Sequence, residues 1–152
     1  MTESIPPTSV RQLRLVVEAD DYDAAVAFYR DALGLTEQAA YEGEGDAKVM
    51  ILNAGLATLE IANPAQKRMI DQVEAEGKPS ARIRIAFEVD DSPSVTNDLV
   101  GAGAVLIAEP RETPWRSVNS RLEAPAGLQV TIFHELESLA EREGSADFGT
   151  RG

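Results

Sequence analysis

Two short segments of the sequence carry arginine and glutamate at the same spacing. Residues 83–91 repeat the pattern of residues 13–21 after an offset of 70, so Arg84 and Glu88 are the equivalents of Arg14 and Glu18. In both segments apolar residues alternate with these charged ones, which is typical of a β-strand with one apolar and one polar face. A guanidinium is a fixed cation with several N–H donors and no acceptor, so paired arginines on such faces suit an anionic or carbonyl-bearing ligand.

Each repeated strand leads into a predicted helix. The first helix is capped by Asp20 or Asp21, and Gly34 stands where a left-handed C-cap belongs. In the second copy, we expect Ser92 to be the N-cap and Pro93 to take the first helical position. The apolar positions with helical spacing in the first copy are Ala25, Phe28, Tyr29 and Ala32.

Three short strand candidates follow each helix, so both halves have the order β-α-β-β-β. The chain is therefore predicted to be two copies of one module within a single α+β domain. The strand candidates cover residues 35–41, 48–52, 57–62, 105–108, 118–123 and 128–134. The predicted organisation is a flexible N-terminus (1–10), a first module (11–63), a connector (64–80), a second module (81–135) and a C-terminal tail (136–152). The connector has helical composition and could act as a lid over a groove.

Composition and charge exclude several classes of function. The formal charge of -12 opposes binding to a nucleic-acid backbone or to an anionic membrane surface. The sequence contains no cysteine, which excludes disulfides, thiol catalysis and thiolate metal sites. No apolar run approaches the roughly 18 residues of a membrane span, and the N-terminus lacks the pattern of a secretory signal. We therefore expect a soluble cytoplasmic protein.

The tandem modules resemble the vicinal oxygen chelate superfamily, which includes glyoxalase I, bleomycin-resistance proteins, methylmalonyl-CoA epimerase and extradiol dioxygenases. The segments that carry the likeness are 27–35, 58–61, 113–115 and 125–128. The resemblance implies a half-open barrel of mixed β-sheet. Because one fold hosts many activities, it does not by itself imply a particular reaction.

The resemblance also implies where a metal would be held. The four ligand positions of family enzymes fall on Arg14, Glu60, Arg84 and Thr131, and of these only Glu60 is a metal-ligand type. Two guanidinium groups would repel a divalent cation. We therefore expect a degenerate metal site with no resident cofactor. A metal enzyme with its ligands elsewhere stays open.

The predicted register places a set of polar residues on the concave face as ligand-binding candidates. From the strands these are Arg14, Glu18, Arg84, Glu88, Glu60, Gln129, Thr131 and Phe133, with Trp115 at the cavity mouth. The alternative is an ion-pair network of Arg14, Glu60 and Arg84 that fills the face and binds nothing. Trp115 is equally well explained as a packing residue, and His134 is expected to be exposed and without a role.

Two kinds of function remain after these exclusions. The first is a small-molecule-binding protein that sequesters a drug or metabolite. The second is an enzyme of the same superfamily, either a metal-independent lyase or isomerase with Glu60 as base, or a metal-dependent enzyme such as a dioxygenase. A dimerisation or regulatory module with a closed cavity is a third possibility. The resemblance implies a homodimer as the assembly.

Overall fold

A computed structural model describes residues 14–137 except for 16, 18, 58, 59 and 61. Its elements, in chain order, confirm the predicted α+β class. They are α1 (Tyr22–Val26), a π-helical segment (Ala27–Ala32), β1 (Glu37–Glu42), β2 (Lys48–Leu52), α2 (Pro64–Ala75), β3 (Arg84–Glu88), α3 (Ser92–Gly101), β4 (Val105–Glu112), β5 (Ser117–Ala124), a 3-10 turn (Pro125–Gly127) and β6 (Leu128–Glu135).

The second half of the chain forms the predicted β-α-β-β-β module. Its four strands make one sheet in the order β3-β6-β5-β4, in which β3 is parallel to β6 and the other pairs are antiparallel. One face of the sheet is apolar and packs against α3. Burial of this face forms the core of the molecule, because apolar surface is removed from water on both elements. The buried core residues are Phe28, Leu99, Ala104, Leu122, Ala124, Val130 and Ile132.

The first helical segment also packs on this core. Phe28 is 3% exposed, and its ring meets that of Tyr29 edge to face with centroids 5.0 Å apart. The Tyr29 hydroxyl donates to the carbonyl of Pro125 at 2.8 Å. Burial raises the pKa of Tyr29 to about 12. The helix of the first half is therefore fixed to the turn that precedes β6.

The strands of the first half depart from the prediction. The β1–β2 hairpin forms a separate two-stranded sheet. The described residues of 11–19 and 57–62 belong to no strand. Leu15 and Val17 belong to the apolar face of the predicted first strand, which should be buried, yet they are 53% and 38% exposed. That expectation was wrong for these two residues, because the described part of their segment is not paired into either sheet.

The repeated aspartates cap both helices. Asp21 accepts from the backbone N–H of Ala24 at 3.0 Å, and Asp91, 70 residues later, accepts from Ser94 at 3.1 Å. The predicted cap Ser92 is wrong by one position, since Ser92 is the first residue of α3.

The sole histidine also lies elsewhere than predicted. Ser92 is buried, and its backbone N–H donates to His134 Nδ1 at 2.9 Å. His134 is thus half-buried rather than exposed. Its ring is held at the N-terminal end of α3, on the face of the sheet that packs against that helix.

Helix α2 occupies the connector, where a helix was predicted. Asn63 caps it by accepting from the backbone N–H of Gln66 at 2.9 Å. The helix ends where Glu76 and Gly77 take left-handed conformations, with φ of 55° and 87°. In the described part of the chain, each helix is too short or too polar to span a lipid bilayer.

Candidate functional site

The second face of the four-stranded sheet is polar. The pairs Arg84–Gln129, Ala86–Thr131 and Glu88–Phe133 join β3 to β6. This pairing agrees with the predicted register, because paired residues in neighbouring strands share a face. The next strand adds its own polar residues to the same face, namely Ser117, Asn119, Arg121 and Glu123.

Helix α2 lies against this polar face through two acidic side chains. Asp71 and Glu74 are three residues apart and therefore share one side of the helix. They are only 4% and 1% exposed. Buried carboxylates require partners because desolvation of an unpaired charge is very costly. The sheet provides those partners.

Both carboxylate oxygens of Glu74 are engaged by groups on the sheet. Oε1 accepts from Thr131 Oγ1 at 2.6 Å and from Arg121 Nε at 3.0 Å. Oε2 accepts from Asn119 Nδ2 at 2.9 Å. The Arg84 guanidinium adds a cation 3.7 Å from Oε1. Glu74 is thus surrounded by donors, with little acceptor capacity left for a further ligand.

Arg121 joins the two carboxylates. It is fully buried, and its Nη1 donates to Asp71 Oδ1 at 2.9 Å while its Nε reaches Glu74. Nη1 also donates to the carbonyl of Lys78 at 3.2 Å. Among the described residues, the remaining nitrogen Nη2 has no hydrogen-bond partner although it is buried. A buried donor without a partner costs about 1–3 kcal/mol, which makes it a place where water or a ligand is favoured.

Asp71 has further donors that stabilise its charge. Burial would raise the pKa of this carboxyl, but hydrogen bonds from Ser80, Lys67 and Arg121 outweigh it and hold the pKa below its usual range. The backbone N–H of Ser80 lies 3.2 Å from Oδ2, and Lys67 Nζ lies 3.3 Å from the same atom. Asp71 is therefore negatively charged near neutral pH.

Arg84 is positioned beside this network. Its Nη1 donates to Thr131 Oγ1 at 2.6 Å, and its side chain is 21% exposed. The hydroxyl of Thr131 in turn donates to Glu74, which gives a chain from the guanidinium to the carboxylate. A partly exposed guanidinium with further N–H groups is suited to meet a ligand at the edge of the buried network.

A small cavity of about 40 Å³ lies between Arg84 and the turn that joins β4 to β5. Four of the predicted ligand-binding residues line it, namely Arg84, Thr131, Trp115 and Phe133, and Glu74 and Asn119 line it as well. This volume holds one or two water-sized groups.

Trp115 belongs to the wall of this cavity. It is 8% exposed, and its indole Nε1 is buried without a hydrogen-bond partner among the described residues. The turn is fixed around it, since the backbone N–H of Thr113 donates to the carbonyl of Ser117 at 2.8 Å. Ser117 Oγ also donates to Asn119 Oδ1 at 2.6 Å. Buried indole N–H groups usually find an acceptor, so this one is a candidate ligand contact.

The other predicted site residues lie apart from the cavity or outside the described residues. Arg14, Glu60 and Glu88 are exposed. Gln129 accepts from the backbone N–H of Ala81 at 2.8 Å and donates to Glu123 at 3.0 Å. Glu18 is not among the described residues.

A larger and more open groove lies between α1 and the β1–β2 hairpin. Its volume is about 340 Å³, and Tyr22, Arg30 and Lys48 are among its lining residues. Lys48 Nζ lies 5.9 Å from the ring centroid of Tyr22, and Arg30 is engaged by Asp31 and Glu37. The buried polar groups converge at the smaller cavity instead, which is why the smaller cavity is the stronger candidate site.

The comparison with known families agrees with this fold. A family model described as a glyoxalase-like domain matches residues 14–133. The chain belongs to the glyoxalase-like domain family. Membership of the glyoxalase/bleomycin resistance/dioxygenase superfamily, expected from the motifs, is thereby confirmed. None of the curated proteins matches the sequence significantly.

Several solved structures are similar to this chain at low sequence identity. A hypothetical protein from S. aureus is 14% identical over 83% of this chain and 95% of its own, with a TM-score of 0.55. A glyoxalase family protein from Bacillus cereus is 16% identical over 85% of this chain and 100% of its own, with a TM-score of 0.52. A glyoxalase/bleomycin resistance protein/dioxygenase from Nocardioides is 20% identical over 86% of this chain and 89% of its own, with a TM-score of 0.46.

The divalent metal that the resemblance implied does not fit the polar face described here. Arg84 and Thr131 stand at two of the expected ligand positions and are hydrogen-bonded to each other. The negative charge of the nearby Glu74 carboxylate is already balanced by its ion pairs with Arg121 and Arg84. Among the described residues, no three His, Asp or Glu side chains are grouped to hold a metal ion. Two guanidinium groups at this place oppose a divalent cation.

The face of this glyoxalase-like protein does contain a buried ion-pair network, but its members differ from the predicted ones. Asp71, Glu74 and Arg121 form it, and Arg84 is paired with Glu74 rather than with Glu60. Sequence reasoning missed Asn119 and Arg121, although they alternate with Val118, Ser120 and Leu122 along β5. It missed Asp71 and Glu74 because the connector has many charged residues and its composition does not indicate which of them are buried. Their i, i+3 spacing was the available signal.

Proposed function

We propose that this protein binds a small organic molecule, without a resident divalent metal, on the polar face between α2 and the four-stranded sheet. The observation that carries the proposal is the buried Nε1 of Trp115, which has no partner among the described residues and belongs to the same cavity wall as Arg84. A binding site needs donors that the protein itself has not satisfied.

The lining favours a ligand with acceptor oxygens. Trp115 offers one N–H, and Arg84 offers guanidinium N–H groups beyond the one bonded to Thr131. The rings of Trp115 and Phe133 supply apolar surface on the same cavity. A carbonyl, carboxylate or similar oxygen could accept from both donors while the rest of the ligand packs on the aromatic rings.

The size of the cavity limits how much of the ligand it takes. Binding sites for drug-sized molecules usually have volumes of about 300–1,000 Å³. The cavity of about 40 Å³ accepts a polar head group alone, so the remainder must lie at its mouth or replace α2. A function in sequestering a drug or metabolite therefore requires that most of the ligand lie at the mouth of the cavity or that α2 move.

Ligand binding to substituted protein tests this proposal. The single tryptophan makes its fluorescence a reporter of the cavity. A panel of small carboxylates, ketones and cationic aromatics is titrated against the wild type, Arg84→Ala and Arg82→Ala. Arg82 is an exposed arginine two residues before Arg84 and serves as the matched control.

We expect at least one class of compound to change the fluorescence. Arg84→Ala should lower the affinity for that compound about tenfold or more, because a hydrogen bond to a charged group contributes about 1.5–3 kcal/mol. Arg82→Ala should leave the affinity unchanged. Equal affinity in the wild type and Arg84→Ala would remove Arg84 from the site. Stoichiometric metal in the purified protein would contradict a metal-free site.

Among the described residues, no observation favours the enzyme with Glu60 as its base, because Glu60 is exposed. Glu74 stands nearer the expected place, but both of its oxygens are engaged by donors of the sheet. A cytoplasmic location and a homodimer stay predictions.

A further inference from the structure

We propose that the polar face is a carboxylate receptor and that Glu74 of α2 is its internal occupant, which the carboxylate of a ligand displaces. The inference deepens the proposed function and rests on it. The ligands are then small organic carboxylates, and α2 covers the site until a ligand displaces it. The donors that hold Glu74, the attachment of α2 and the cavity beside Glu74 each support it.

The donors that hold Glu74 are fixed to the sheet. Asn119 and Arg121 come from β5 and Thr131 comes from β6, and all three are at least nine-tenths buried. They reach the two carboxylate oxygens at 2.9, 3.0 and 2.6 Å. Charge-assisted donors arranged in this way bind a carboxylate specifically, whichever molecule carries it. The sheet holds the backbone of these three residues in register, and Arg121 has a second bond, to Asp71 of α2.

The occupant is on an element with few apolar attachments. The buried residues of α2 are Ile70, Asp71, Glu74 and Ala75, so half of its buried side chains are carboxylates. Hydrogen bonds contribute little net free energy when equivalent partners can replace them. An external carboxylate can replace the Glu74 carboxylate with the same donors, and the loss on moving α2 is then its small apolar contact together with the bond between Asp71 and Arg121.

The cavity provides the space next to the receptor. Glu74, Arg84 and Trp115 line it together, and Trp115 contributes a buried N–H that nothing in the described chain accepts. Arg121 Nη2 is a second such donor. Glu74 satisfies neither of these donors. A ligand carboxylate at the place of Glu74 would leave the ligand's other groups free to meet these donors.

Chemical rescue tests the receptor. The variant Glu74→Ala removes the occupant and leaves the donors, while Glu76→Gln removes an exposed carboxylate of the same helix terminus as a matched control. Melting temperatures are measured with sodium acetate or benzoate and with sodium chloride at the same ionic strength. At a probe concentration of ten times its Kd, we expect acetate to raise the Tm of Glu74→Ala by about 3–6 °C relative to chloride. The control and the wild type should show a smaller rise.

An equal effect of acetate and chloride on Glu74→Ala would overturn the receptor. If that variant does not fold, a thiol-labelling experiment decides, because the natural sequence has no cysteine. Ala75→Cys places a thiol at a position in α2 that is 0% exposed, and Ala104→Cys places one in the core away from α2, at 5% exposure. Both retain Glu74, and labelling of the first reports detachment of α2.

We expect benzoate at ten times its Kd for the open form to increase the labelling rate of Ala75→Cys about tenfold, because ligand raises the open population in proportion to 1 + [L]/Kd. The rate of Ala104→Cys should not change. A labelling rate of Ala75→Cys that is independent of benzoate would overturn the displacement. Fluorescence titrations that still show ligand binding through Arg84 would then leave the proposed function intact, so the two failures are distinguishable.

Discussion

Replacing Arg121 by methionine should destabilise the protein more than the same replacement of an exposed arginine. Arg121 is fully buried and holds Asp71 at 2.9 Å and Glu74 at 3.0 Å. Without Arg121, the carboxylates of Asp71 and Glu74, which are at most 4% exposed, have no fully buried cation to pair with. Removal of one partner from a buried ion pair costs about 3–5 kcal/mol.

The structure places the cost in the lower part of that range. Asp71 keeps Lys67 and the backbone N–H of Ser80, and Glu74 keeps Asn119 and Thr131. We therefore expect Arg121→Met to lower the free energy of unfolding by about 3 kcal/mol. For an m-value of about 1.5 kcal/mol/M, the urea midpoint falls by about 2 M.

The assay is urea unfolding followed by circular dichroism at pH 7, with Arg111→Met as the matched control. Arg111 also forms an ion pair at the C-terminal end of α2, with Glu76 at 3.3 Å, but its side chain is 29% exposed and that of Glu76 is 70% exposed. Exposed pairs contribute about 0.2–1 kcal/mol. A loss below 1 kcal/mol for Arg121→Met, equal to that of Arg111→Met, would refute the buried network as the attachment of α2.

Three further outcomes follow from single contacts. Asp71→Asn should make the free energy of unfolding less dependent on pH in the acid range. The lowered pKa of Asp71 gives stability that is present above the usual Asp pKa of 3.8 and is lost as the pH falls below it. Unfolding at pH 3 and pH 6 measures this, and an unchanged pH dependence would contradict it. Ultraviolet titration should show the Tyr29 phenol ionising at about pH 12, and Tyr29→Phe should abolish that step. The same variant should lower the free energy of unfolding by about 0.5–1.5 kcal/mol through the lost hydrogen bond to Pro125. Ionisation of Tyr29 near the ordinary pKa of 10.0 would be inconsistent with its burial. Asp91→Ala should cost about 1 kcal/mol in thermal unfolding by removing the cap of α3, while Asp90→Ala, one residue earlier, should cost much less.

The second half of the chain was predictable because its signals are local. Alternation and turn residues fix the strands of residues 105–135. The structure also shows that the two N-caps, Asp21 and Asp91, are separated by the repeat offset of 70. Ser92 was chosen wrongly because serine and aspartate both favour the N-cap, and only the register of the first turn separates them. The spacing of apolar residues and the turn residues thus predicted the helix and strands of the second half to within a few residues.

The first half was less predictable because alternation does not specify a pairing partner. Residues 13–21 carry the same pattern as residues 83–91, yet Leu15 is 53% exposed whereas Ile85 lies in β3 and is half-buried. Strand pairing is a non-local interaction, so identical local patterns can have different environments.

The candidate site was predictable on the sheet but not above it. Arg84 and Thr131 meet at 2.6 Å, as a shared face requires. The partner of Arg84, Glu74, comes from the connector helix, where it was not predicted as a site residue, and it is 1% exposed. Burial of a carboxylate depends on the tertiary position of its cations, here above all Arg121, which the sequence of the helix does not contain.

The central claim is that the polar face under α2 binds an organic ligand without a metal. Its most direct test is a crystal structure of the protein as purified, without added chelator, in complex with a compound that quenches Trp115 fluorescence. We expect ligand oxygen atoms within hydrogen-bond distance of Trp115 Nε1 and Arg84, with no metal ion between them. A metal ion bound there, or a ligand bound instead in the groove beside Tyr22, would contradict it.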